Sequence, residues 1–321
     1  MVPPASGRNQ EQTEKAGLGM AKTAARFVYV AAAWVVSGAG DVTPAAAQSV
    51  RFLPDVRLFE GPAADPFEPR LGIGLVSTNV FATQGPERGA FTRPLDTTEV
   101  QVVVAIGGTV PLFQLVDRPE GGIVVGAQAG VFGRFRVSLP SRDDLGQDWI
   151  VALPIEMRWR DFAARVRLTH RSAHLGDEFA ASSGAHRIEF GGESVDALFA
   201  ISIAEAVRVY GGAARIFHSN TDNTDVLRRE DRLDRYTVQA GVDAVWSPWR
   251  DDGWSVFGGA DYQSAERTRW AGFIAAAAGV RVRSGTRGVR MTARYLEGKS
   301  PLGQFFLTPE RFWSIELAID F

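Results

Sequence analysis

From Arg70 onward, apolar and polar side chains alternate with a period of two, segment after segment. Between 149 and 159, Trp149, Val151, Leu153, Ile155, Met157 and Trp159 share one face, and Ala152, Pro154, Glu156 and Arg158 share the other. Between 236 and 246, Tyr236, Val238, Ala240, Val242, Ala244 and Trp246 oppose Thr237, Gln239, Gly241 and Asp243. The final segment sets Trp313, Ile315, Leu317, Ile319 and Phe321 against Ser314, Glu316, Ala318 and Asp320. Such alternation is the signature of a strand with two unlike faces. The same reading predicts twelve strands, at about 70–80, 98–108, 122–138, 147–159, 162–172, 187–202, 206–217, 235–247, 253–264, 270–283, 287–297 and 312–321.

An even strand count suits a single-chain bacterial barrel with both ends on the periplasmic side. Loop lengths point the same way, since such barrels have short inner turns and longer outer loops. The outer loops fall at 81–97, 139–146, 173–186, 218–234, 265–269 and 298–311, and the inner turns include 160–161, 203–205 and 284–286. One inner connection, 109–121, is long and fits less well. Trp149 and Trp159 bracket one strand on its apolar face, as Tyr236 and Trp246 bracket another. Ten residues at ~3.3 Å each, tilted by ~40°, cover about 25 Å, the height of a membrane-facing apolar band between two aromatic girdles. The predicted fold is therefore all-β, a transmembrane antiparallel up-and-down β-barrel of about twelve strands over residues 70–321.

Two segments precede the barrel. In residues 1–47, Lys22 and Arg26 lead into the apolar run Phe27 to Val36, followed by Ala45-Ala46-Ala47. This is the order of a secretory signal peptide with cleavage before Gln48, and Met20 is the expected true start after an N-terminal extension. Residues 48–69 carry four prolines and no clean period, which predicts an irregular periplasmic lead-in packed at the barrel mouth. Composition changes this picture little. A net charge of -2 gives no basic bias toward nucleic acid, and the absence of cysteine fits export without disulfides. The 34 glycines, 20 phenylalanines and 8 tryptophans suit many strands with aromatic anchors.

Charged residues occupy the polar faces: Glu156, Arg158, Arg165, Arg167, Glu193, Arg208, Asp243, Arg290, Arg294 and Glu316. Exposed to lipid near the midplane a charge costs ~2–4 kcal/mol, so these are expected to line the lumen, where opposite signs pair. A lumen closed by such pairs and a narrow aqueous pore are the two readings this leaves.

The densest group of reactive side chains runs from Thr169 through His170, Ser172, His174, Asp177 and Glu178. Parity places His170 and Ser172 on the lipid face with Val166 and Leu168, near the outer end of their strand. Two residues along a strand separate side chains by ~7 Å, within reach of a base for a hydroxyl after rotamer adjustment. A bland alternative is a polar network of His170, Ser172, His174, Asp177 and Glu178 that orders the outer loop. His174, Asp177 and Glu178 also offer metal-type donors, but no partner set at a known spacing accompanies them, so no metal is expected. No phosphate-binding glycine loop or basic aromatic stripe is present.

The His-x-Ser pattern resembles that of outer-membrane phospholipase A and lipid A deacylase, barrel hydrolases with a lipid-facing serine and histidine. The resemblance implies His170 as base and Ser172 as nucleophile acting on outer-membrane lipid, and calcium enters only under this reading. Ala173 follows the serine where those enzymes have an asparagine. The residue that orients the histidine is therefore open between Glu189 or Glu193 on the next strand, if a bulge turns one outward, and Asp177 or Glu178, if the loop folds back.

Over residues 51–321 the chain also resembles a family of Gram-negative outer-membrane proteins catalogued as domain of unknown function 1207. The pieces that carry the resemblance are RFLPDVRLF at 51–59, ADPFEPR at 64–70, HRSAHLGDEF at 170–179, RVYGG at 208–212 and GKSPLGQFF at 298–306. It implies an outer-membrane barrel and no established activity. The topology groups HLGDEF and SPLGQFF in outer loops, so Gln304 is expected near His174 and Glu178. The terminal strand ending in Phe321 resembles the signal by which the outer-membrane insertion machinery recognises barrels. The leading expectation is a non-enzymatic outer-membrane barrel with a plugged or narrow lumen and no cofactor; the others are a lipid acyl hydrolase and a small-solute pore.

Overall fold

Strand pairing in the computed structural model follows the chain. It describes residues 50–79, 98–137, 143–183, 187–220, 235–247, 253–284 and 287–320. The expected signal peptide with Met20, the whole loop 81–97, most of the loop 218–234, and Phe321 lie outside these residues.

A short strand β1 (Arg51–Phe52) precedes the ring formed by β2 (Leu71–Asn79), β3 (Thr98–Arg118), β4 (Gly121–Arg136), β5 (Asp144–Trp159), β6 (Phe162–Leu175), β7 (Phe190–Ala204), β8 (Val207–Ser219), β9 (Tyr236–Trp246), β10 (Trp254–Ala265), β11 (Phe273–Ser284), β12 (Arg287–Lys299) and β13 (Pro309–Asp320). Each ring strand pairs antiparallel with its chain neighbours, and β13 returns to β2 from Phe312↔Thr78 to Ile319↔Leu71. The result is a closed twelve-stranded antiparallel barrel. Closure gives the backbone donors and acceptors of β2 and β13 a partner, which a strand at membrane depth requires.

The faces separate as the alternation requires. Trp149, Val151, Leu153 and Ile155 are exposed on the outside of β5, and Trp313, Ile315, Leu317 and Ile319 on the outside of β13. The residues between them, among them Asp148, Ala152 and Glu156 on β5 and Ser314, Glu316 and Ala318 on β13, are buried toward the lumen. Apolar side chains outside and polar ones inside reverse the arrangement of a water-soluble sandwich and suit a lipid surround.

Two expectations are corrected. The long inner connection at 109–121 is not a loop: β3 continues to Arg118 and meets β4 across a two-residue turn at 119–120. Register shifts between Pro111 and Phe113 and between Gln114 and Val116 break its period of two, which hides the strand from a parity reading. The irregular segment expected at the periplasmic mouth lies instead inside the barrel. After β1 pairs with Gln114 and Phe113 of β3, the chain turns at Leu53, with φ of 48°, and residues 57–70 run through the lumen before β2 begins. Phe59 packs on Ala163, Leu198, Ala200 and Tyr210, and Ala64 packs among Val76, Ala275, Ala277 and Phe312.

The outer end is capped from within. Helix α1 (Asp177–Ser183) and the turn at Gly303–Phe305 bring Phe179 and Phe305 together with Leu145, Leu175 and Leu302. Gly303 is required there, since a Cβ would lie 2.6 Å from the Ala173 Cβ.

Candidate functional site

Chemistry-bearing side chains gather in two places, the lumen and one patch of the outward face. In the lumen, Glu156 anchors the plug. Its carboxylate accepts Arg57 Nε at 2.8 Å and the backbone N–H groups of Leu58 at 2.9 Å and Phe59 at 3.2 Å. Further along, Ala63 N–H donates to Asp243 at 3.1 Å, Gln239 donates to Asp65 at 3.1 Å, and Arg294 donates to the Ala63 carbonyl at 3.0 Å. Arg165 grips Glu68 with two hydrogen bonds of 2.8 and 3.0 Å, and Arg70 pairs with Glu316 at 2.9 Å. The other expected lumen charges join the same network. Arg158 donates to the Leu58 carbonyl, Arg167 pairs with Asp196 at 2.8 Å, Arg208 pairs with Asp243 at 2.5 Å, and Arg290 pairs with Asp320 at 3.3 Å. The lumen is thus a cross-paired interior whose partners come largely from the plug. Burial alone would raise the Glu68 carboxyl, but the guanidinium groups of Arg165 and Arg167 outweigh it and bring the group down to about 2.

One member of the expected lumen set lies elsewhere. Glu193 shares the parity of Val195 and Ile201, both exposed, and therefore points out of the barrel. Its neighbours across the ladder are His170 on β6 and His218 on β8. Glu193 Oε1 lies 2.8 Å from His170 Nδ1, and Oε2 lies 2.5 Å from His218 Nδ1. A register shift next to Glu193 leaves Phe217 as the extra residue, so Phe217 and His218 are both exposed. No bulge is needed to bring a β7 carboxylate to His170: β6 and β7 pair in regular register, and the extra residue lies on β8, where it brings His218 to Glu193.

Ser172 lies two residues beyond His170 on the same outward face, directly across from Trp149. His170 is across from Val151, one step deeper. The group therefore lies beside Trp149, at the end of β6 away from the turn at 160–161. With Nδ1 turned to Glu193, Nε2 of His170 is the nitrogen left to serve a hydroxyl.

The remaining expected residues are distributed around this patch. Glu189 is exposed and precedes β7; it is four residues from Glu193, ~13 Å along an extended chain, so Glu193 and not Glu189 meets His170. His174 is exposed at the outer end of β6, Asp177 pairs with Arg187, and Glu178 lies in the first turn of α1. Gln304 is buried at the same end, where its amide donates to the Ala173 and Ile188 carbonyls at 2.7 Å each and accepts Ile188 N–H at 3.0 Å. Among the described residues no group of three or more His, Cys, Asp or Glu side chains is placed to hold a metal ion. His218 was not singled out in the sequence, because the extra residue at Phe217 moves it off the parity of its strand.

A family model described as protein of unknown function (DUF1207) matches residues 51–321. The chain belongs to this family. Among curated proteins none matches it significantly. Solved structures share its architecture. Outer membrane phospholipase A from Escherichia coli is similar at 13% identity and a TM-score of 0.50, over 80% of this chain and 93% of that one. An outer membrane channel from Pseudomonas putida F1 is similar at 12% identity and a TM-score of 0.45, over 82% and 99%. A KdgM porin is similar at 8% identity and a TM-score of 0.38, over 78% and 99%. At these identities the likeness concerns the fold, an outer-membrane β-barrel.

Proposed function

We propose that this protein works in the bacterial outer membrane as a closed barrel that cleaves acyl esters of outer-leaflet lipids, with Ser172 as nucleophile, His170 as general base and Glu193 orienting the base. The observation that carries this reading is the 2.8 Å contact of His170 Nδ1 with Glu193 Oε1 on the lipid-facing surface, with Ser172 on the same face. Ionisable groups facing lipid are costly, and a row of three is hard to account for without a use. The end of the barrel away from the short turns is also the outer one, on the side of the outer-leaflet lipids. In the reaction Ser172 Oγ attacks the ester carbonyl and its proton passes to His170 Nε2, then to the departing alcohol as the carbon–oxygen bond breaks. Water, deprotonated by the same nitrogen, then releases the fatty acid from the acyl-serine.

The test is fatty-acid release from phospholipid and from lipid A by the full-length protein in detergent, with and without calcium. Release by the parent protein and none by Ser172→Ala is expected. If neither lipid class is cleaved under either condition, the reading is lost.

A second reading has its own support. Glu193 is shared between two histidines at a bulge, an arrangement that also clamps β6, β7 and β8 together without catalysis. Under it the protein is a non-enzymatic plugged barrel. Loss of thermal stability in Glu193→Gln with no hydrolysis by the parent would favour this alternative.

A further inference from the structure

The wall of the barrel has a gap at its inner end. β2 begins at Leu71, opposite Ile319 of β13, and its pairing with β3 ends at Gly72↔Ala105. β3 runs on to Arg118, yet β1 meets it only at Phe113 and Gln114. From Ile106 to Pro111 the edge of β3 that β2 would cover has no strand partner among the described residues. Ile106 and Val110 are exposed on the outer face of this stretch. An open edge facing lipid is costly unless its backbone groups line a cavity.

Such a cavity is present. It measures about 650 Å3 and reaches from the plug at Glu60 and Ala63 to Gly107, Gly108 and Val110 of β3 and Ile319 of β13. That is the liquid volume of roughly 20 waters. Val110 and Ile319 are exposed on the outer face and yet border the cavity, so it opens sideways through the gap. A Cβ added at Gly108 would meet nothing within 4 Å, which leaves the passage clear there.

On the β11–β13 side of this cavity, more guanidinium groups than carboxylates face one another. Glu316 takes Arg70 at 2.9 Å and Arg294 at 3.1 Å, Glu60 takes Arg281 at 3.0 Å and Arg283 at 3.9 Å, and Asp320 takes Arg290 at 3.3 Å. The Nε–H groups of Arg290 and Arg294 are buried and, despite these contacts, aligned with no acceptor among the described residues. Around the rest of the cavity the signs balance. Arg57 pairs with Glu156, Arg165 with Glu68 and Arg208 with Asp243, and Arg158 and Glu205 add one charge of each sign to the lining. The positive excess therefore sits beside the gap.

We propose that this cavity takes the anionic headgroup of a phospholipid-like amphiphile from the surrounding membrane. Its phosphate lies at Arg283 and Arg290, and its acyl chain leaves through the gap past Gly108 onto the apolar outer face. Guanidinium forks match phosphate oxygens, and cations in a confined, partly dehydrated space attract an anion more strongly than in bulk water. The chain adds apolar burial that a free anion lacks. This inference is independent of the outward Ser172 patch, which lies toward the other end of the barrel.

The experiment is native mass spectrometry of the full-length protein in a non-ionic detergent, titrated with dodecyl phosphate, dodecylphosphocholine and inorganic phosphate. Dodecyl phosphate has no carboxylic ester for Ser172 to attack, so its binding reads this site whether or not the barrel hydrolyses lipid. Inorganic phosphate reports the headgroup without the chain, and dodecylphosphocholine the chain with a neutralised headgroup. Saturable binding of one dodecyl phosphate is expected, about tenfold tighter than either other probe. Arg283→Gln and Arg290→Gln should each weaken it about tenfold. Gly108→Trp, which bars the gap, should do the same and leave inorganic phosphate unchanged, with folding of all variants checked by heat-modifiable migration. The proposal is overturned if dodecyl phosphate does not bind, if dodecylphosphocholine binds as well, if inorganic phosphate binds as tightly and so marks an adventitious ion only, or if the folded variants keep the parent affinity.

Discussion

Glu193 and His170 face each other across the β6–β7 ladder on the outside of the barrel, 2.8 Å apart at Oε1 and Nδ1. A carboxylate in this position fixes the histidine tautomer and stabilises the imidazolium that forms when it takes a proton. Replacing Glu193 by Gln should therefore lower fatty-acid release by about 10²-fold, the usual scale for disturbing a general base. Ser172→Ala should abolish release. Initial rates on mixed micelles, with parent and variants at equal folded concentration, check both.

Glu156 is the hub of the plug, and its loss leaves Arg57 and two backbone N–H groups without their acceptor. Breaking a buried, hydrogen-bonded pair costs about 3 kcal/mol. Glu156→Ala should lower the unfolding midpoint in urea and produce channel events in planar bilayers that the parent lacks. Silent bilayers with the variant would show that residues 57–70 stay in place without this anchor.

Acid should loosen the plug through Glu68. Its carboxyl is held at about 2 in the folded protein, against 4.5 for the unperturbed group. A lowered folded value means that the pair with Arg165 contributes its full stability above about pH 4.5 and loses it as the pH falls toward 2. The stability difference between the parent and Glu68→Gln should accordingly be constant near neutral pH and vanish by about pH 2, as read by thermal unfolding across the range.

Leu317 lies in the outward apolar stretch of β13 from Trp313 to Ile319, paired with Ile73 and Met291. Leu317→Arg should cost ~2–4 kcal/mol when folding is measured in bilayers. Glu316→Gln, on the adjacent inward position, should act differently, by freeing Arg70 and Arg294 from their shared acid. A β13 that tolerated Leu317→Arg in lipid would argue against the membrane-facing assignment.

The strands were legible in the sequence because the constraint that makes them is local. Lipid on one side and a polar lumen on the other force an alternation that can be read two residues at a time, and Trp313 to Ile319 show it without help from the rest of the chain. The charged positions at Glu156, Arg165 and Asp243 were legible for the same reason, as was the patch at His170 and Ser172. Their partners were not. Phe59 meets Glu156 across 97 residues, and Arg70 meets Glu316 across 246, and the segment that supplies these groups has no period of its own. Only closure of the ring created a lumen for it to run through. Tertiary structure likewise decided the Glu193 triplet, because a pairing register and one extra residue at Phe217 bring three strands' side chains into line. Local alternation thus set the barrel, and long-range pairing set what runs through it and what stands on its outer face.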